Sequence, residues 1–493
     1  MVFSSNIFLF LFLPVFLTFY YLTPERQRSW VILIGSYIFY AWWRVDFLLL
    51  FMSVTLWNYF IGRSIANAGP QTIPARRWVA IGIIVNLSVL AYFKYANFGV
   101  ATVNTAMNEL GLDPWLLTAV ILPIGISFYI FQAISYIIDV YRGDTPATEN
   151  LIDFAAFIAL FPQLIAGPVL RYKDVASQFS QRSHTLDKFS QGAQRFMLGF
   201  VKKVVIADTL APLVNQGFAL QDPSFFDAWL TMLAYTAQLY FDFSGYADMA
   251  IGLGLMMGFR FMENFTHPYI SQSITEFWRR WHISLSSWLR DYLYIPLGGN
   301  RRGQVATYRN LFLTMLLGGL WHGANWTFLI WGAWHGVLLA LEKALGVDTS
   351  GIQFSPWRWL LCLLLVMLGW VVFRAENITQ AISLYGALIP SMTAQNLEFS
   401  PVYGSQISAW QLWALALSWL LIVLRGFYQR YQDQQKSQGG PGLTALASTL
   451  YAHSNSNSNS NSYASAVLIA PLFMLAIFKL SAESYSAFLY FQF

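Results

Sequence analysis

Residues 318–336 read Gly-Gly-Leu-Trp-His-Gly-Ala-Asn-Trp-Thr-Phe-Leu-Ile-Trp-Gly-Ala-Trp-His-Gly, the middle of an apolar run from 308 to 344 that carries two Trp-His-Gly units, at His322 and His335. A helix needs about 20 apolar residues to cross the hydrocarbon core of a bilayer. The run is long enough for two passes, with Gly323 as the expected break. An ionisable side chain placed inside such a run is costly, and is read first as a functional group.

Composition extends that reading to the whole chain. The apolar fraction is 56% and the charged fraction 11%, against about 45–50% and about 25% in soluble proteins. Mean hydropathy is +0.48. Further apolar runs lie at 6–22, 30–43, 47–62, 78–95, 115–139, 151–170, 195–216, 228–258, 358–374, 410–427 and 464–480. The expected fold is an all-α polytopic membrane protein of about 11–13 transmembrane helices, with in-plane or re-entrant helices among them. One membrane-embedded domain is expected over 1–493. The segment 428–463, which ends in the Ser/Asn tract 454–462, reads as a flexible cytoplasmic linker. The 20 Trp and 26 Tyr suit two interfacial belts. The first run lacks the basic start and cleavage site of a signal peptide.

Lys and Arg in short loops set orientation. Loop 171–195 and loop 259–309 are basic, the latter with seven arginines against Glu263, Glu276 and Asp291, while 96–114 and 375–409 are nearly free of Lys and Arg. The basic loops are expected on the cytoplasmic side and the N-terminus outside. The net charge of +5 is small for 493 residues and does not suggest nucleic acid as a partner.

Residues 276–294 form an expected helix of another kind. Trp278, Trp281, Leu285, Trp288, Leu289 and Tyr292 share one face, while Glu276, Arg279, Arg280, Ser287, Arg290 and Asp291 oppose them. That is the pattern of a helix lying in the membrane interface. It reads either as an anchor or as the roof of a cytoplasmic entrance, where Arg279, Arg280 and Arg290 meet the phosphates of a coenzyme A donor. His282 lies at the edge of its apolar face.

Neutral imidazole suits general-base work near neutral pH. On a continuous helix the rings of His322 and His335 would stand about 220° apart, so they are not a metal pair, and no metal or bound cofactor is expected. The bland alternative for each is a buried imidazole satisfied by a carbonyl. The polar cluster Gln238, Asp242, Ser244 and Asp248 either binds itself across the bundle or orients an imidazole, as a carboxylate does in a triad. There is no Gly-x-Ser-x-Gly elbow, no P-loop and no His-x-x-x-x-Asp box, and the lone Cys362 excludes a disulfide framework.

Trp278-Arg-Arg-Trp-His282, Arg290-Asp-Tyr, Trp321-His322-Gly-Ala-Asn-Trp and Trp334-His335-Gly, in that order, resemble the membrane-bound O-acyltransferase family. Leu122-Pro-Ile-Gly-Ile-Ser-Phe-Tyr and Phe161-Pro-Gln-Leu-Ile-Ala-Gly-Pro168 resemble its bacterial branch, and the opening Met-Val-Phe-Ser-Ser-Asn those members that O-acetylate an exopolysaccharide such as alginate. The resemblance implies His322 as the family's invariant histidine and His282 as a second, less strictly required one. His335 matches a recurrent position without an assigned role. Arg279, Arg280, Arg290 and Asn325 are then donor-binding candidates. The resemblance further implies acetyl-CoA as donor, periplasmic partner proteins that complete transfer to the polymer, and residence in the bacterial inner membrane. A transporter or flippase of an acyl carrier, and acylation of peptidoglycan, cellulose or teichoic acid, are the competing readings.

Overall fold

The computed structural model describes residues 1–347, 354–390, 398–437 and 461–483. Among these the regular structure is helical, with no strand. The chain forms two compact units, Met1–Phe189 with Leu253–Met262, and Ser190–Gly252 with Glu263–Phe493.

The first unit is built on α1 (Leu13–Leu22), α2 (Arg28–Ala41), α3 (Asp46–Ala68), α4 (Ile73–Glu109), α5 (Ile126–Arg142), α6 (Leu151–Ala159), α7 (Phe161–Leu164) and α8 (Tyr172–Ser180). Thr72 caps α4, its hydroxyl accepting the Ala75 amide at 3.2 Å. The side-chain amides of Asn58 on α3 and Asn86 on α4 bond reciprocally, at 2.9 and 2.7 Å. In an apolar surrounding such a pair ties two helices where water offers no alternative partner. Leu49, Leu56 and Phe60 on the outer side of α3 are exposed, as lipid-facing side chains are.

Two expected spans are broken. The run 115–139 becomes helical only at Ile126, and residues 112–123 are irregular. Asn97 and Asn104 of α4 hold this segment by its backbone, each amide pairing with both the N–H and the C=O of one residue, Val120 and Trp115 respectively, at 2.7 to 3.0 Å. Pro123 cannot donate, and Gly125 takes φ +74, so the helix starts only after them. The run 151–170 breaks at Leu160, because Pro162 lacks the amide that would bond back along the helix. The Phe161 amide instead donates to Ser36 Oγ at 3.1 Å.

The second unit holds most of α9 (Leu186–Val201), α10 (Asp208–Ala219) and most of α11 (Phe225–Met256). It continues with α12 (Ile274–Arg280), α13 (Ile283–Leu289), α14 (Gln304–His322), α15 (Trp326–Ala344) and α16 (Pro356–Arg374). The short α17 (Ile378–Ala387) and α18 (Pro401–Gln406) precede α19 (Ala409–Ser437) and α20 (Asn461–Glu483). Residues 428–437, expected to open a linker, continue α19 instead, since Gln, Arg and Lys are good helix formers. Residues 438–460, with most of the Ser/Asn tract, lie outside the described residues.

The break expected in 308–344 falls at 323–325, as the glycine suggested, and separates α14 from α15. Glycines set their approach. A Cβ on Gly319 would sit 3.0 Å from Gly332 Cα, and one on Gly336 would sit 3.0 Å from Phe312 Cα. Small residues let backbones meet where lipid offers no hydrophobic drive. Among the described residues four helices are long and apolar enough to cross a membrane by length and composition: α3, α4, α16 and Ala409–Gln432 of α19.

The two carboxylates of the α11 polar cluster are taken up by ion pairs. Asp242 meets Lys203 at 2.6 Å, and Asp248 meets Lys202 at 2.5 Å and Arg195 at 2.8 Å. Of the two sequence readings, binding across the helices is the one observed for these carboxylates.

Candidate active site

The amphipathic stretch 276–294 is not one helix. Trp281 is extended and His282 adopts a left-handed backbone, φ +43 and ψ 54, so the chain turns between α12 and α13. The aromatic face survives the turn because its residues pack inward: Trp278, Trp281, Leu285, Trp288 and Leu289 are all buried. The single interfacial helix expected over 276–294, whether anchor or entrance roof, is therefore replaced by a folded-in loop of two short helices whose turn delivers His282 to the interior, fully buried.

His322 is the last residue of α14, and Gly323 after it is extended. Its ring stands edge-on to three aromatic rings, with centroids 5.0 Å from Trp321, 5.0 Å from Trp331 and 5.4 Å from Phe373. The His282 ring is 6.5 Å away. The break between α14 and α15 removes the 220° separation calculated for a continuous helix. His335, buried on α15, instead lies 5.1 Å from the same Trp331. The three histidines thus belong to one aromatic cluster, with His322 and His282 adjacent and His335 one ring further on.

Their hydrogen bonds differ. His335 Nδ1 accepts the indole N–H of Trp278 at 3.3 Å. His282 Nδ1 meets Asn264 Oδ1 at 3.2 Å. Asn264 carries no signal in the sequence; it lies in the loop before α12 and reaches the site only through folding.

The donor-binding candidates are dispersed. Arg280 pairs with Glu276 at 3.0 Å and donates to the Thr266 carbonyl at 3.1 Å, and Arg430 joins the same Glu276 at 2.9 Å. Arg290 pairs with Asp291 at 2.6 Å. Arg279 is exposed. Asn325 caps α15 by accepting the Thr327 amide at 3.1 Å, and its NH₂ donates to the Glu376 carbonyl at 2.9 Å. Among the described residues no three His, Cys, Asp or Glu side chains group closely enough to hold a metal ion.

Two histidines set side by side in a buried aromatic cluster, one ending a helix and one on a strained turn, offer base and hydrogen-bond chemistry in a water-poor setting. Residues 145–385, which span the three histidines, Asn264 and the donor-binding candidates, match the model of the membrane-bound O-acyltransferase family. A probable alginate O-acetylase, AlgI, of Pseudomonas putida is 60% identical over 493 residues and the whole of both chains. This chain belongs to the membrane-bound O-acyltransferase family. It is accordingly an O-acyltransferase and a membrane protein. A peptidoglycan O-acetyltransferase of Helicobacter pylori is 37% identical, covering 79% of this acyltransferase and 80% of its own length. A teichoic acid D-alanyltransferase of Streptococcus thermophilus is 32% identical over 45% of this chain and 57% of its own.

Proposed function

We propose that this acyltransferase O-acetylates a cell-surface polysaccharide, alginate in the first instance, using acetyl-CoA from the cytoplasm. The identity to alginate O-acetylases over the whole chain supports the polymer, and the basic loops support a cytoplasmic donor side in the bacterial inner membrane with the N-terminus outside. Periplasmic proteins of the same machinery serve as partners.

The observation that carries the reading is the burial of His322 beside His282 within one aromatic cage. His322 acts as general base. It takes the proton of the acceptor hydroxyl as that oxygen attacks the thioester carbonyl; the C–S bond breaks, the ester forms, and the proton passes to the departing thiolate. A water-poor pocket suppresses hydrolysis of the thioester and strengthens each electrostatic contact. Arg279, Arg280, Arg290 and Asn325 bind the donor, and His282 aligns it.

The test uses membranes holding the full chain and its polymer machinery, supplied with acetyl-CoA labelled in the acetyl group. Labelled ester on the polysaccharide, lost with His322→Gln, supports the reading. Labelled donor carried across without cleavage would replace it with a transporter.

A further inference from the structure

Asn264 is buried, and eighteen positions separate it from His282 in sequence. Its Oδ1 gathers three contacts: the Ser284 amide at 3.2 Å, the Ser284 hydroxyl at 2.8 Å and His282 Nδ1 at 3.2 Å. A backbone N–H can only donate, so the atom that faces it is the amide oxygen and the side chain has one orientation. An oxygen with no hydrogen favours the neutral ring that carries its proton on Nδ1, the nitrogen that also faces Ser284 Oγ at 3.4 Å. Nε2 is left with its lone pair, buried and without a hydrogen-bond partner.

The backbone is organised around the same residue. The Ile283 amide donates to the Asn264 carbonyl at 3.0 Å, and Thr266 N–H donates to the Arg280 carbonyl at 3.0 Å. These bonds hold His282 in its left-handed conformation, which a non-glycine residue keeps only where its surroundings impose it. Phe243 closes the other side, its ring edge-on at 4.8 Å from the imidazole. The ring therefore has a fixed direction as well as a fixed tautomer.

We propose that Asn264 is a positioning residue, which locks His282 in the tautomer whose bare Nε2 accepts a hydrogen bond from an O–H or N–H of the bound substrate. The assignment rests on the reading that His322 and His282 serve acyl transfer. With no acceptor at 264 the ring proton is free to move to Nε2, and the lone pair offered to substrate becomes a donor. The triad of serine hydrolases uses a carboxylate in the same way, to hold an imidazole in its working tautomer. The Nδ2 of Asn264 has no partner, so aspartate keeps every bond that matters.

The test compares acetyl transfer by the full chain in its native membranes. Asn264→Ala should lower kcat about 10–100-fold, the usual effect of removing a group that orients a working histidine, with donor KM nearly unchanged. Asn264→Asp should recover most of that loss. The Asn264→Ala, His282→Gln double variant should fall no lower than His282→Gln alone, because the two residues act as one unit. If the alanine protein does not accumulate, Asn264→Leu, close in size and lacking an acceptor, carries the same expectation. An aspartate variant as poor as alanine or leucine, or additive losses in the double variant, would overturn the proposal and leave Asn264 as a brace for the turn. Wild-type transfer by both His322→Gln and His282→Gln would instead overturn the active-site reading on which it rests.

Discussion

Trp278 donates its indole N–H to Nδ1 of His335 at 3.3 Å, binding α12 to the middle of α15. Phe277 stacks on the same imidazole at 6.2 Å, and Trp370 closes in at 6.4 Å. With its ring so enclosed and Nδ1 already accepting, His335 is expected to serve packing rather than proton transfer, although its Nε2, like that of His282, is buried without a hydrogen-bond partner. Trp278→Phe removes the donor and leaves a buried nitrogen unpaired, a loss of about 1–3 kcal/mol. Less inserted protein is expected, with activity per molecule largely kept. His335→Gln should behave alike. Quantitative blotting of membranes beside polymer acetyl content separates the two effects; normal protein amount with lost activity would move His335 into the chemistry.

His322→Gln keeps approximate size and one hydrogen-bonding end but removes the titratable base. The variant should insert and accumulate normally while acetylation falls about 10²–10⁴-fold, the contribution of a general base. His282→Gln should fall between His322→Gln and His335→Gln. Acetyl ester released by mild alkali from purified polysaccharide gives the measurement.

The arginines divide by their partners. Arg279 is exposed, so Arg279→Ala should raise the apparent KM for acetyl-CoA with protein amount unchanged. Arg280 shares Glu276 with Arg430 and also bonds the Thr266 carbonyl. Arg280→Ala should therefore lower the amount of protein as well, by a loss of about 1–2 kcal/mol. Donor titration of both variants at matched protein content checks the distinction, and an unchanged KM in both removes the arginines from donor binding.

Orientation is testable at two exposed sites. A reporter inserted after Gly303 should read cytoplasmic, and one after Glu376 periplasmic. The reverse pair would place the donor on the wrong side of the arginine-rich loop.

His184 lies in the connection between α8 and α9, where its ring meets the Tyr20 hydroxyl at 3.0 Å and the Arg28 guanidinium at 2.9 Å. Burial, with Arg28 and Arg182 next in weight, lowers its pKa below 6.5. The folded chain thus resists a proton that the unfolded segment accepts. The clamp is at full strength above about pH 6.5 and weakens as pH falls below it. Proteolysis around 181–185 should be faster at pH 5.5 than at pH 7.5, and His184→Gln should flatten that difference.

Apolar runs, the placement of arginine and the two Trp-His-Gly units were legible residue by residue, because hydropathy and charge act through each side chain alone. That is why the two helices broken at Gly323 were readable, and why His322 stood out as a titratable group in an apolar run. The broken span at 115–139 was not, since its irregular start is stabilised by Asn97 and Asn104 from another helix, and hydropathy is blind to such partners.

Sequence by itself determined that this is a helical membrane protein carrying buried histidines, for the cost of unpaired polar groups in lipid admits few other solutions. Tertiary structure alone decided which histidines meet. A continuous helix would have set His322 and His335 on different faces and left His282 at the edge of a surface helix. The break after His322 and the left-handed turn at His282 bring those two rings within 6.5 Å. That turn depends on hydrogen bonds accepted by Asn264, eighteen positions away, and bonds across such a separation exist only once the chain has folded.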